Sequence, residues 1–313
     1  MTKPNSDRVA VLLSTYNGER YLEDLLDSLF RQSHLNFDLF VRDDGSDDKT
    51  LRIIEEYRQR YANIRIVSSE CNLGPKKSFG TLLEVALKYS TYAYFMFADQ
   101  DDVWMDDKIA KSLRLMRENE SEDDSLPVLV HSDLIVVDSE LNRIGPSFWG
   151  YQKLDPDKDG INRLLVQNVI TGCTMLINRK LAELSVPVPD ECIMHDWWIG
   201  LIACSNGRIR YLREPTIFYR QHGRNSLGAV KFDLPYMLSR FKRMKGIEWN
   251  VVQASALISR IGGEVEAVRE FADLRNRSYA SRLYTVWRRK YYKNGFIRNI
   301  GLFLQLAKLK KTT

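Results

Sequence analysis

Apolar runs and amphipathic runs take turns over the first hundred residues. Residues 9–13 (VAVLL) are apolar without a break, the pattern of a strand buried on both faces. Residues 19–32 carry leucines at 22, 25, 26 and 29, which is helical spacing. Residues 37–42 predict a second strand and 47–60 a second helix, with Ser46 or Asp47 as its cap. A short third strand at 64–67, a loop at 72–75 and a helix over 77–89 follow. Residues 92–98, apolar and rich in aromatics, read as one more buried strand. Such alternation predicts a parallel sheet with right-handed crossovers. Each strand ends in polar turn residues, so these ends should line one edge of the sheet.

The pattern loosens over residues 107–230. It predicts helices at 106–119 and 196–205, and strand within 128–137, 168–178, 209–212 and 216–220. From 234 onward it is helical, basic and poor in glycine. No internal repeat and no low-complexity linker divides the chain.

At 313 residues there is room for one large α/β domain with an appendage, or for two domains. The division expected is a catalytic domain over 1–230 and a basic helical region over 231–313. Hydrophobic residues at 44% and charged residues at 28% fit an ordinary globular protein. Cys71, Cys173, Cys192 and Cys204 form no CxxC pair, which favours buried thiols in a reducing compartment over disulfides or zinc. The apolar run at 9–13 is too short for a signal peptide or a membrane span, and no other segment approaches 18 apolar residues. The expected location is therefore cytoplasmic. The net charge of +5 hides an asymmetry: residues 231–313 hold 18 Lys and Arg against 6 Asp and Glu. An acidic body with a basic tail points to an anionic partner for the tail. Nucleic acid fits poorly, because the body would repel phosphate backbones.

Candidate chemistry gathers where strands end. The run at 92–98 stops in Asp99, Gln100, Asp101 and Asp102. Carboxylates so placed repel one another unless a cation sits among them, and oxygen ligands favour Mg2+ or Mn2+. Ser14 and Tyr16 end the first strand; Asp43 and Asp44 end the second. Tyr16 offers a ring to a nucleobase, and an Asp after the second strand can accept a base N–H. A metal at Asp99 and Asp101 would neutralise a diphosphate. No GxGxxG and no Walker motif is present, which argues against a dehydrogenase or a P-loop enzyme. A nucleotidyltransferase would need a glycine-rich basic loop near the N-terminus, and STYNGERYL is a poor version of one.

TYNGERYL, VRDDGSDDKT, NLGPKKSF, FADQDDVW, MHDWW and YRQHGRNSLG occur in that order. Together they resemble family 2 inverting glycosyltransferases of the GT-A fold, an α/β class with a Rossmann-like, mostly parallel sheet flanked by helices. The likeness is greatest to bacterial rhamnosyltransferases of cell-wall rhamnan and O-antigen synthesis, and covers residues 8–228. It implies a nucleoside-diphosphate-sugar donor (dTDP-L-rhamnose, or in a second reading a UDP-hexose), Mg2+ or Mn2+, and a hydroxyl acceptor. It places Ser14, Tyr16 and Asp44 at the base and ribose, with Asp43 an adjacent candidate. It places Asp99 near the ribose or metal, Asp101 on the metal with Asp102 beside it, and Asp196 as the general base. His222 matches a further metal or diphosphate position. By charge alone, Arg220 and Lys76 or Lys77 are candidates to hold phosphates. Trp197 and Trp198 are candidate platforms for acceptor sugar rings.

Residues 237–245 and 287–293 mix basic and aromatic side chains, and residues 296–311 read as an amphipathic helix with a basic end. This is the composition of an interfacial anchor on anionic lipid, at the inner face of a plasma membrane and near a lipid-linked acceptor. A helix packed on the catalytic domain, or a homodimer contact, has the same composition.

Overall fold

The computed structural model describes residues 7–69, 71–120, 125–222, 246–261 and 265–310. The chain opens with β1 (Val9–Thr15), α1 (Leu22–Phe30), β2 (Phe37–Asp43), α2 (Thr50–Arg60), β3 (Ile64–Ile66), α3 (Gly74–Leu87) and β4 (Tyr94–Asp99). These four strands are parallel, with β1 between β2 and β4 and with β3 outside β2. The register pairs Thr15 with Asp43 and Ser14 with Asp99, so the polar strand ends share one edge as expected.

The second half turns the sheet mixed. It contains β5 (Val103–Trp104), α4 (Lys108–Glu120), β6 (Val128–Val137), β7 (Arg143–Gly145), α5 (Phe148–Gln152), α6 (Ile161–Leu164), β8 (Leu176–Asn178), α7 (Arg179–Ser185), α8 (His195–Asn206) and β9 (Arg208–Arg220). The strand order is β3-β2-β1-β4-β8-β6-β9-β5, with β7 on β6. β8 runs antiparallel to both β4 and β6. Two expectations change here. Residues 168–178 supply strand only at Leu176–Asn178; before it, Gly172–Thr174 form a 3-10 turn. The two short strands expected at 209–220 are one long strand, whose pairing to β6 shifts register near Asp133.

Side chains alternate across the strands and build one apolar layer on each face of the sheet. Val9, Val11, Leu13, Leu39 and Val41 pack on α1, α2 and α4. Ala10, Leu12, Phe40, Phe95 and Phe97 pack on α3, α7 and α8. The second layer continues into α9 (Ile247–Ile261), α10 (Glu266–Ala272), α11 (Tyr279–Arg289) and α12 (Phe296–Lys308), through Ile247, Val251, Phe271 and Leu302. The boundary expected at 230, the basic stretch 237–245 and the end of YRQHGRNSLG lie outside the described residues. The apolar layer itself is common to both parts of the chain. No helix among the described residues is long and apolar enough to cross a membrane.

Candidate functional site

The acidic turn after β4 is built by what surrounds it. Asp101 meets His222, just past the end of β9, with Oδ2 and Nε2 2.7 Å apart. Both side chains are partly open to solvent, at 17% and 15%. Asp99 is pushed up to about 7, first by burial, then by the charges of Asp101 and Asp196. Those carboxylates therefore converge, although Asp196 lies almost a hundred residues further on. Asp102 is completely covered, and burial followed by Asp101 and Asp99 raises its carboxyl well above the usual range.

Two donor sets compete for a cation. Asp99, Asp102 and Cys173 bring one ligand atom each within 4.8 Å of one another. Asp102 and Cys173 are fully buried, and burial keeps the thiol protonated. A hard cation that must also meet a diphosphate needs open oxygen positions, which that set does not offer. Asp99, Asp101 and His222 offer carboxylate oxygens and an imidazole at a solvent-facing position. These are donor types a divalent ion takes, although among the described residues the three donors gathered within 4.8 Å are Asp99, Asp102 and Cys173; an ion beside Asp101 would relieve the repulsion that raises Asp99.

Asp196 sits in the first turn of α8. Its carboxylate accepts hydrogen bonds from the backbone N–H groups of Trp197 (2.6 Å) and Gly172 and from the Asn168 side chain. Those bonds and the helix N-terminus favour the charged form. Burial outweighs them and holds the carboxyl at about 6. At neutral pH it is mostly ionised yet basic enough to take a proton. Its neighbour His195 is lowered to about 3 by burial and lies against the tilted rings of Phe79 and Phe97. It adds no charge beside Asp196.

The floor is made by β1, β2 and the start of α3. Arg42, buried in β2, engages Asp44, the Ser78 hydroxyl (3.2 Å) and the Cys71 carbonyl (2.9 Å). Asp44 also accepts the Leu73 and Gly74 N–H groups at 2.8 and 2.7 Å, where α3 begins. A carboxylate can accept about four hydrogen bonds, so Asp44 retains capacity for one more. Asp43 has none left: it takes Thr15, the Ser46 hydroxyl and the N–H groups of Gly45 and Ser46. It shapes the turn, in which Gly45 adopts φ +90°, instead of meeting a ligand. Ser14 donates to Ser78 (2.6 Å), and Tyr16 projects into solvent, 51% exposed.

Four candidate side chains are engaged within the protein itself. Trp198 is 1% exposed and donates its indole N–H to the Ser185 carbonyl, so it is core and no platform for a sugar. Lys77 pairs with Asp190 at 2.8 Å, and Lys76 donates to the Asp190 and Cys192 carbonyls. Both lysines tie α3 to the loop before α8. Arg220 is buried and donates to Asp24 (2.7 Å) and to the carbonyls of Asp101 (3.0 Å) and Ser139. Its backbone N–H reaches Asp102. It braces the acidic turn, which places Asp101, and is not open to a phosphate. Trp197 stays half-buried, with its indole N–H on the Leu164 carbonyl.

Gln100 had not stood out among its acidic neighbours. Its side-chain oxygen accepts the Tyr16 N–H (2.8 Å) and its amide donates to the Tyr16 carbonyl (2.9 Å). It packs so closely that a Cβ on Gly18 would lie 2.4 Å from its Oε1. The acidic turn and the Tyr16 loop are thereby fixed together. Gln100→Ala is expected to raise the donor KM about tenfold while kcat changes less than twofold, consistent with two exposed hydrogen bonds at about 0.5–1.5 kcal/mol each. Steady-state kinetics decide it; an unchanged KM would show that the loop holds Tyr16 without Gln100.

The family model described as "Glycosyl transferase family 2" matches residues 10–184, more than half of the chain, and the chain belongs to that family. It is 29% identical over 231 residues to the dTDP-rhamnosyl transferase RfbG of Shigella flexneri, covering 72% of this chain and 76% of that one. Among solved structures it resembles S. aureus TarS residues 1–349 in complex with UDP, with TM-score 0.55, 19% identity and coverage of 87% and 73%. It also resembles the mannosyltransferase PcManGT from Pyrobaculum calidifontis in complex with GDP-Man and Mn2+, with TM-score 0.54, 15% identity and coverage of 96% and 85%. These two likenesses establish the GT-A glycosyltransferase fold with C-terminal helices added.

Proposed function

We propose that the chain transfers L-rhamnose from dTDP-L-rhamnose to a hydroxyl of a lipid-linked precursor of a cell-surface polysaccharide, with inversion at the anomeric carbon. The observation that carries the chemistry is that the half-buried carboxylate Asp196, in the first turn of α8, lies close enough to raise Asp99, which is also raised by Asp101, the partner of His222. A leaving diphosphate and a general base need separate groups within one site. The likeness to RfbG supports the rhamnosyl donor.

Asp101, Asp99 and His222 would hold Mg2+ or Mn2+, which when bound stabilises charge on the diphosphate. Tyr16 stacks on the base, Asp44 accepts its N–H, and Ser14 lies beside the ribose. Asp196 takes the acceptor proton as that oxygen attacks from the face opposite the diphosphate. Trp197 borders the acceptor side. A UDP-hexose donor is the second reading, favoured by the structural likeness to a UDP-bound TarS. A lipid-linked acceptor places the enzyme at the inner face of a bacterial plasma membrane.

Product stereochemistry tests the single displacement. A β-linked donor should give only an α-L-rhamnoside, read by the one-bond anomeric C–H coupling in NMR. A β-product would mean two displacements and would remove Asp196 from the role of base.

A further inference from the structure

We infer that α11 and α12 together form a docking surface for an anionic lipid bilayer, with the enzyme lying on the membrane and not crossing it. Sequence periodicity marks residues 296–311 as amphipathic; the structure shows which of the helix's faces is engaged. Leu302, Leu306 and Leu309 point into the protein and are at most 5% exposed. The opposite face stays apolar and open: Phe296 is 81% exposed and Leu304 54%, with Ile297 and Ile300 beside them. The helix is therefore apolar on both sides, and among the described residues only one side has a partner. A helix that served only to pack on the catalytic domain would present polar residues outward.

Helix α11 is joined to α12 through buried Arg282, which donates to the Leu306 carbonyl at 2.8 Å. It adds two aromatic side chains to the open surface. Tyr284 and Trp287 are 59% and 67% exposed, and their ring centroids are 6.1 Å apart. Tyr and Trp are favoured at the headgroup level, where an apolar body meets a polar tip.

Charge selects the occupant. No acidic residue follows Asp273, whereas residues 274–313 contain 11 Lys and Arg. Some hold the fold: Arg288 and Arg289 pair with Glu270. Lys290, Lys308 and Lys310 are exposed at the helix ends. A second copy of this chain would bring the same cations against themselves. A surface of anionic headgroups matches both the charge and the apolar strip, and each basic residue near such a surface strengthens binding.

The test is co-sedimentation of the full chain with large unilamellar vesicles, either pure phosphatidylcholine or phosphatidylcholine with 30% phosphatidylglycerol, as an order-of-magnitude physiological load. Binding to the anionic vesicles is expected to be at least about tenfold tighter than to the neutral ones, and to weaken as salt rises. The double substitution Ile300→Glu and Leu304→Glu should lower vesicle binding at least about tenfold. Both positions are exposed, so the fold should survive, which an unchanged thermal midpoint would verify. Trp287→Ala is a second, smaller substitution and should weaken binding about threefold or more. Equal binding of parent and both variants would overturn the inference, as would no preference for anionic vesicles. A dimer in light scattering that the same substitutions dissolve, without vesicle binding, would assign the surface to a second copy instead. None of these readouts depends on the donor sugar, so they stand apart from the rhamnosyl reading.

Discussion

Asp196→Asn is expected to abolish sugar transfer while leaving donor binding and the fold intact. General base catalysis contributes about 10²–10⁴ in rate, so kcat should fall by roughly a thousandfold with donor affinity within about twofold. The stability consequence has a definite sign. Burial raises the Asp196 carboxyl from 3.8 to about 6, so the folded protein holds this proton more tightly than the unfolded chain does. Its ionised form therefore costs stability at pH 7, on the order of 2–3 kcal/mol, and the cost disappears as pH falls through about 6 toward 4. Asparagine carries no charge and keeps an acceptor oxygen for the Gly172 N–H. The variant should consequently melt no lower than the parent at pH 7. Activity runs the other way: transfer by the parent should rise with pH to a midpoint near 6, and residual transfer by the variant should lose that limb. Transfer within tenfold of the parent would remove Asp196 as the base. A collapsed melting point would show that its carboxylate is structural.

Asp101→Ala is expected to uncouple nucleotide binding from the metal. In the parent, Mn2+ together with dTDP should raise the melting temperature, because a ligand that binds only the folded state stabilises it by mass action. In the variant that shift should vanish, and Mn2+-dependent affinity for dTDP should drop about 10–100-fold. The metal-free protein should be no less stable, since Asp101 is one of the charges that raise Asp99. Affinity for thymidine, which lacks the diphosphate, should stay the same, which separates loss of the ion from damage to the base slot. His222→Ala should reproduce the effect more weakly, as the loss of one imidazole ligand beside two carboxylates. A full Mn2+-dependent shift in the Asp101 variant would refute this site and turn attention to Asp102.

The strand ends were legible in the sequence because unbroken apolar runs, each stopping at acids, can only be buried strands with a polar edge. The parallel register that pairs Ser14 with Asp99 follows from that alternation. The sequence was less informative about what the acids touch. Asp43 and Asp44 look alike on paper, yet one is saturated by its own turn and the other, itself buried, has one acceptor position unfilled. Arg220 carried the right charge for a phosphate, but a charge does not reveal that its guanidinium is buried against Asp24 and two carbonyls. Trp198 was misread where a signal existed: it lies on the same helical face as Leu201 and Ile202, which marks it as core. Arg42 carried a signal too, since an arginine inside a buried strand requires an acid close by. Asn168 and Gly172 had none, because they meet Asp196 only through a 3-10 turn placed by the folded sheet.

The most direct test of the donor assignment is a panel of sugar nucleotides. Purified full-length protein with Mn2+ would be given dTDP-L-rhamnose, UDP-glucose, UDP-galactose and UDP-GlcNAc, and release of nucleoside diphosphate followed with and without EDTA. The account predicts release from dTDP-L-rhamnose alone, abolished by EDTA. Release from a UDP-sugar with none from dTDP-L-rhamnose would contradict it.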